Sequence, residues 1–313
     1  MMNDAAPPDT GPVAPNTVVA ELIAVLVAII GGEPCVMTLR DGAVLPSGPF
    51  EAGHRSLQTG LRAWVERQTR HPLGYVEQLY TFADGDRLHG DGRHHISISY
   101  LGLTRETGRA EARGTAWRSW YEVFPWEDHR GVAPGLVARA ILPRLRAWAD
   151  DGGADAAARH RRVGITFGDG ADWNEELILQ RYELLYEAGL VAEAGAQGDI
   201  AARLGAPMLF DHRRILATGI ARLRAKIKYR PVVFELMPAT FTLFQLQRTV
   251  EAIAGRLLHK QNFRRLVEQQ DLLEETGETT PATGGRPAKL FRFRGAVLAE
   301  RAIAGTKLPV ART

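Results

Sequence analysis

The stretch VVAELIAVLVAII at residues 18–30 constrains the fold more than any other feature of the chain, because it is the only long apolar run. Its 13 residues, with Glu21 among them, fall short of the ~20 that a helix needs to cross a bilayer. Asp4 and Asp9 precede it and a basic segment does not, which argues against a secretion signal. The run therefore reads as a buried strand, and Gly31-Gly32-Glu33 as the turn into a second strand at 34–39. Cys35 is the single cysteine of the 313 residues, so an internal disulfide and a cysteine-rich zinc site are excluded. One thiol fits a reducing compartment, and the expected location is the cytoplasm.

Around this hairpin the pattern is mixed. Residues 1–16 are rich in Pro, Ala and Asp without apolar periodicity and read as a disordered tail. A Gly/Pro-rich loop at 45–53 leads to a helix near 55–69, where Leu57, Leu61, Trp64 and Val65 recur at helical spacing. Strand patterns follow at 75–82 (YVEQLYTF) and 95–103 (HISISYLGL), and WRSWYEVFPW at 117–126 looks like another aromatic strand. Residues 133–165 and 173–195 read as helical segments. Residues 211–228 form a strong helix, with Asp211 as a plausible N-cap and Ile215, Ile220, Leu223 and Ile227 near one apolar stripe.

The net charge of +3 hides a division. Residues 203–313 carry 20 Lys+Arg against 9 Asp+Glu, or +11, and the first 202 residues carry −8. All five lysines lie in this last third. A basic segment joined to an acidic one is the footprint of a chain that binds a polyanion at one end.

The basic segment has the order of a winged helix. Thr242 is a good N-cap for a helix at 243–254, in which Leu243, Leu246, Val250 and Ile253 take core spacings, and Gly255 supplies the turn. A second helix at 259–270 buries Phe263, Leu266 and Val267, leaving Lys260, Gln261, Asn262, Arg264 and Arg265 on exposed or flanking faces. These are the side-chain types that read guanine and adenine edges in the major groove, on the element that a recognition helix requires. Leu272-Leu273-Glu274 begins a wing whose tip is flexible, and Lys289–Arg294 returns. Gly284 and Gly285 beside Arg286 let backbone and guanidinium approach a phosphate. Thr242, Gln245, Lys260, Gln261, Asn262, Arg264, Arg265, Arg286 and Lys289 are the candidate DNA contacts.

In the N-terminal half, LPSGPFEAGHRSLQTGLRAWVERQT resembles the Nudix box, a loop–helix–loop whose glutamates hold magnesium against a nucleoside diphosphate. Anchored on Gly48, it has His54 at the first glutamate position and keeps Arg62 and Trp64. At the clustered glutamates it has Ala63, Glu66 and Arg67, and Thr69 stands at the closing glycine. Magnesium is a hard ion that takes oxygen ligands, so one surviving carboxylate beside a cation predicts a domain that does not hydrolyse by the Nudix route. With YVEQLYTFADGDR, HHISISYLGL, WYEVFPW, the run LFDHRRILATGIARLRAKIKYRPVVFELMPATFTLFQLQ, NFRR and GRPAKLFRFR, the chain is similar to the Nudix-related transcriptional regulators of NAD metabolism, the NrtR/NadQ type. The resemblance covers about 18–130 and 207–296, and residues 131–205 read as a helical insertion without an assigned role. The insertion and the degenerate box favour the NadQ-like branch, which represses de novo NAD synthesis.

The resemblance implies an α+β chain, with an N-terminal Nudix-like α/β/α sandwich followed by a C-terminal winged helix-turn-helix domain. The expected division is a tail at 1–16, a ligand-sensing domain at 17–205, a connecting helix at 206–228 and the DNA-binding domain at 229–313. It implies a repressor of NAD biosynthesis genes that senses NAD, ADP-ribose or ATP without turnover, with no cofactor and no metal. Arg40, His54, Arg87, Arg93 and His95 are the candidate ligand contacts; His94 lies beside them. The expected partners are a palindromic double-stranded operator and a second copy of the chain, with no membrane. Two other readings stand beside this one: an active Nudix pyrophosphatase using Glu66 with Asp84, Asp86 or Asp91, and a module whose basic end binds an acidic protein.

Overall fold

A computed structural model describes residues 18–71, 73–83, 94–105, 112–131, 135–169, 172–229, 232–281 and 287–295. The apolar run is β1 (Val18–Ile30), and β2 (Glu33–Leu39) returns antiparallel to it with Ile30 opposite Glu33. Gly31 and Gly32 sit at φ 58° and 87°, the left-handed pair that a two-residue hairpin turn demands. After β3 (Ser47–Pro49) the chain enters α1 (Leu57–Thr69), whose N-cap Ser56 accepts a hydrogen bond from Thr59 N at 3.1 Å. Next come β4 (Tyr75–Phe82), β5 (His94–Leu103) and β6 (Thr115–Ser119). The sheet order is β4-β5-β1-β2-β6, with β3 also on β1, and β1 and β5 run parallel.

Side chains alternate across a strand, so β1 feeds two cores. Leu22, Ala24 and Leu26 meet Leu61 and Val65 of α1, with Met37 and Tyr100. Ile23, Val25 and Val27 face the opposite side and join Ile215, Ile220 and Leu223. Burial on both faces is why β1 reads as a continuous apolar run instead of an alternating one.

The strand expected at 117–126 is shorter. β6 ends at Ser119, whose hydroxyl accepts from Tyr121 N at 3.3 Å and caps the short helix α2 (Trp120–Val123); a 3-10 turn follows at Pro125–Glu127. The cap and Pro125 end the ladder, so Trp120, Phe124 and Trp126 enter the core from a helical turn. The segments expected to be helical, 133–165 and 173–195, hold a π turn at Val137–Ile141, then α3 (Leu142–Asp150), α4 (Ala156–Phe167) and α5 (Ile178–Glu187); α6 (Gly198–Arg203) follows beyond them. The break between α3 and α4 falls at Gly152-Gly153, where Gly153 has φ 54°.

α7 (His212–Tyr229) does more than connect. It is the second helical layer on the sheet, opposite α1, and Gly219 brings its backbone so near Val25 that a Cβ would lie 2.8 Å from a Val25 methyl. The fold is thus a helix–sheet–helix sandwich, with α8 (Leu243–Ala254), α9 (Lys260–Gln269), β7 (Leu273–Thr280) and β8 (Ala288–Phe293) following as a winged helix. A bridge between Phe241 and Phe291 (N to O 2.9 and 2.8 Å) adds a third extended segment to the wing. No described helix is long and apolar enough to cross a membrane.

Where the two halves meet, a buried carboxylate gathers the elements. Glu127 accepts from Arg181 of α5 at 2.6 and 3.0 Å and from Arg224 of α7 at 2.5 Å, and all three side chains are 0% exposed. Arg224 also donates to Ile253 O of α8 at 2.9 Å, and the Tyr121 hydroxyl donates to Ala252 O at 2.6 Å. Burial alone would raise the Glu127 carboxyl, but the two guanidinium groups outweigh it and hold it below its ordinary value of 4.5.

Candidate nucleic-acid interface and nucleotide site

α8 begins with a capping box. Thr242 Oγ1 accepts from Gln245 N at 3.1 Å, and Gln245 Oε1 accepts from Thr242 N at 2.8 Å. Thr242 is buried and Gln245 exposed, so of these two candidate contacts only Gln245 presents its side chain at the surface. α8 closes on Gly255 at φ 73°, and α9 starts five residues later.

On α9 the apolar anchors are narrower than expected. Phe263 is buried and Val267 half-buried, but Leu266 is 52% exposed. The i, i+4 pair of Phe263 and Val267 faces the domain, while Leu266, one residue round the helix, falls at the edge of that stripe. Lys260, Gln261, Asn262, Arg264 and Arg265 are all exposed, as the sequence predicts. Among the described residues, Lys260, Arg264 and Arg265 take part in no ion pair.

The wing cations are placed differently. Lys289 lies 2.9 Å from both oxygens of Glu275, Arg292 reaches Glu274 at 2.6 Å, and Arg294 reaches Asp271 at 2.5 Å. β7 and β8 pair in register at Glu274–Arg292 and shift between Glu275 and Thr279, where Gly277 has φ 82°. β7 therefore runs on through Thr280, into the segment expected to be a flexible tip. Gly284, Gly285 and Arg286 lie outside the described residues. The described positive charge that faces outward unpaired is on the helix, while each described wing cation sits against a carboxylate.

In the N-terminal half, α1 and the loop before it are closed by their own side chains. Arg62 donates to Leu73 O and, at 3.1 Å, to Gly74 O. Trp64 Nε1 donates to Pro49 O at 2.9 Å and packs so tightly on Gly48 that a Cβ there would lie 2.2 Å from the indole. Arg67 stacks over the Trp64 ring at 3.7 Å. Gln68 pairs with both the N and O of Ser47, at 3.2 and 2.8 Å. Ala63 and Glu66 are exposed. Among the described residues, no three His, Cys, Asp or Glu side chains gather as metal ligands would.

His54 accepts from Glu51 N at 3.1 Å and lies on the Gly60 backbone, where a Cβ would sit 2.7 Å from its Nδ1. The register sets His95 opposite Val19, and Phe50 N donates to Ala20 O at 2.8 Å, so the His54 loop and His95 lie toward the same end of β1. Arg40 is exposed in the 3-10 turn after β2 with φ 51°. Arg87 and Arg93 fall outside the described residues, as does the His94 side chain. A candidate that sequence reasoning passes over is Arg118, whose guanidinium crosses the Gly42 backbone with a Cβ there only 2.4 Å away. Its one signal is its place on β6 beside the Arg40 turn.

Comparison with known proteins agrees with this layout. Residues 233–293 match the NrtR DNA-binding winged helix domain. The chain is 42% identical over 86 residues to the ADPR responsive transcriptional repressor NtrR of Acinetobacter baylyi, which is 28% of this chain and 34% of that protein. The chain thus spans about a third of the length of that curated relative. Its fold is similar to the crystal structure of Shewanella oneidensis NrtR with a 27mer DNA (TM-score 0.54, 18% identity, 90% of this chain and 95% of that one). It is equally similar to a MutT/nudix family protein from Enterococcus faecalis (TM-score 0.54, 14% identity, 91% and 90%).

Proposed function

We propose that this chain, a winged helix of the NrtR DNA-binding family carried on a Nudix-type sandwich, is a transcriptional repressor that binds operator DNA through α9 and senses a nucleotide in its N-terminal domain. The observation that carries the reading is the row Lys260, Arg264 and Arg265, exposed on the second helix of the matched segment. Arg on such a helix reads guanine edges in pairs of hydrogen bonds, and Lys anchors phosphate. The effector is an NAD-related adenine nucleotide, with ADP-ribose first because the A. baylyi relative is named for its response to it. The regulated genes are those of NAD biosynthesis, and a homodimer on a palindromic site supplies the length of sequence that one helix cannot read.

The N-terminal domain binds without hydrolysing. Ala63 offers no oxygen, Arg67 places a guanidinium on Trp64, and Glu66 alone does not fit a magnesium ion that needs several oxygen ligands. Incubation with ADP-ribose and magnesium is expected to yield no AMP above a protein-free control; steady release abolished by Glu66→Gln would establish a pyrophosphatase. The DNA reading is tested by selecting sites from random DNA and measuring anisotropy of the winners across salt concentrations. Binding of one palindromic sequence, weakening steeply with salt, is expected. Equal affinity for selected and random DNA would overturn the reading, and light scattering that shows a monomer on operator would overturn the dimer.

A further inference from the structure

Among the described residues, Glu175 carries an ion pair from the helices at 137–203 to the winged helix. Glu175 opens a 3-10 turn ahead of α5, and its carboxylate lies 2.9 Å from Lys228 at the end of α7 and 3.3 Å from Arg256. Arg256 stands in the turn between α8 and α9, four residues before the recognition helix starts. Glu175 is 5% exposed, and its backbone is fixed from behind: Arg224 donates to Glu175 O at 2.9 Å and Arg181 to Asn174 O at 3.0 Å. Those are the two arginines that hold Glu127. One side of this cluster therefore grips the sandwich, and the other reaches the turn that aims α9.

Packing alone does not fix α9 against the rest. Between α7, α8, α9 and the wing lies an apolar cavity of about 570 Å³, lined by Ile227, Val233, Leu246, Phe263, Leu266 and Phe293, with Glu175, Lys228 and Arg256 also on its wall. Close-packed interfaces resist movement, whereas one that encloses a cavity leaves more of the orientation to the directional contacts around it. Within the winged helix, Glu251 of α8 accepts from Leu258 N at 2.9 Å and Gln247 donates to Leu258 O at 3.0 Å, which ties the α8–α9 turn to α8. From the N-terminal side the turn is met by the His129 N to Gly255 O hydrogen bond at 2.6 Å and by the Glu175–Arg256 pair.

We propose that Glu175 is a positioning residue for DNA reading: the helical segment is a strut that sets the angle of α9 through the Glu175–Arg256 contact and transmits the state of the N-terminal domain to it. This rests on the repressor reading above. A strut of this kind binds neither DNA nor nucleotide, so its loss changes the coupling between the two ligands and spares the nucleotide affinity of the DNA-free protein. Coupling between two ligands is one reciprocal factor, so it is measured from either side.

The wild-type chain, Glu175→Gln and Arg256→Gln are compared. Arg256 is 51% exposed, so its replacement removes the contact without burying a new polar group and keeps the test meaningful if Glu175→Gln fails to fold. Operator affinity is measured by anisotropy with and without ADP-ribose, ADP-ribose affinity by calorimetry, and backbone hydrogen exchange across residues 255–262 without either ligand. The expected result is a coupling factor that falls to within about twofold of one in both variants, with ADP-ribose affinity unchanged and exchange at 255–262 faster. Retention of the wild-type coupling factor in both variants would overturn the strut. A wild type that binds operator indifferently to ADP-ribose counts against the repressor reading instead. In that case the exchange arm still decides, since unchanged protection at 255–262 overturns the strut by itself.

Discussion

On α1, Ala63, Glu66 and Arg67 occupy the stretch where a Nudix box clusters glutamates, and the neighbouring Trp64 takes Pro49 O as its acceptor and Arg67 as its stacking partner. Restoring carboxylates at both lost positions puts three oxygen ligands on one part of the helix. Magnesium is then expected to raise the Tm of the Ala63→Glu/Arg67→Glu variant and leave that of the wild type unmoved; an equal shift in the wild type would mean that a metal site already exists. On α9, Arg264→Ala or Arg265→Ala is expected to cost about 1–3 kcal/mol of operator binding and relax preference at one position, read by competition among single-base operator variants. A uniform loss across all sequences would make that arginine a phosphate anchor. The two arginines are legible in the sequence because Phe263 fixes the buried side of a short helix. Leu266 is not, because a ten-residue helix has too few turns for its spacing to separate a core residue from one at the stripe's edge.

At the scale of elements, local chemistry that the sequence spells out is reproduced closely. YVEQLYTF is β4 from its first residue to its last, and Thr242 with Gln245 starts α8 where a capping box belongs. The aromatic run at 117–126 misleads because hydrophobicity does not reveal that Ser119 caps a helical turn. Register across the wing is equally hidden, yet it decides charge: β7 brings Glu274 and Glu275 onto the cations of β8. Glu275→Gln is therefore expected to strengthen DNA binding several-fold at low salt, by releasing Lys289 and removing a negative charge, with the gain vanishing at high salt. No change at low salt would place this face of the wing away from DNA. Gly255 supplies a second test. A Cβ there would meet Glu127 O at 2.3 Å, whereas Gly195, at φ 89°, has nothing within 4 Å. Gly195→Ala is expected to cost only backbone strain, about 1 kcal/mol or slightly more, and Gly255→Ala clearly more than that in urea unfolding. Equal costs would mean that the α8 terminus does not press on the sandwich.

For the whole molecule, the joint between the halves depends on residues that no sequence pattern brings together. Glu127, Arg181 and Arg224 are separated by tens of residues, each sits in a different element, and each reads alone as an ordinary surface charge; only the fold makes them one buried cluster. A buried pair broken on one side leaves an uncompensated charge, so Glu127→Gln, which strands two guanidinium groups, is expected to destabilise the chain by about 3–5 kcal/mol in urea unfolding. Acid provides an independent check. The Glu127 carboxyl is held below 4.5 in the folded chain and titrates near 4.5 when unfolded, so the unfolded state binds the extra proton first. Its contribution is fully present above the unfolded value and is lost as pH falls below 4.5 toward the folded value. Glu77 and Glu175 are lowered in the same direction: burial opposes the shift in each, but Lys226, Tyr75 and Arg222 outweigh it at Glu77, and Lys228 and Arg256 at Glu175. Stability of the wild type should therefore fall steeply below pH 4.5, and Glu127→Gln should flatten that fall while lowering the plateau above it. A variant that keeps the wild-type acid slope would show that protonation of Glu127 is not what makes the fold acid-labile.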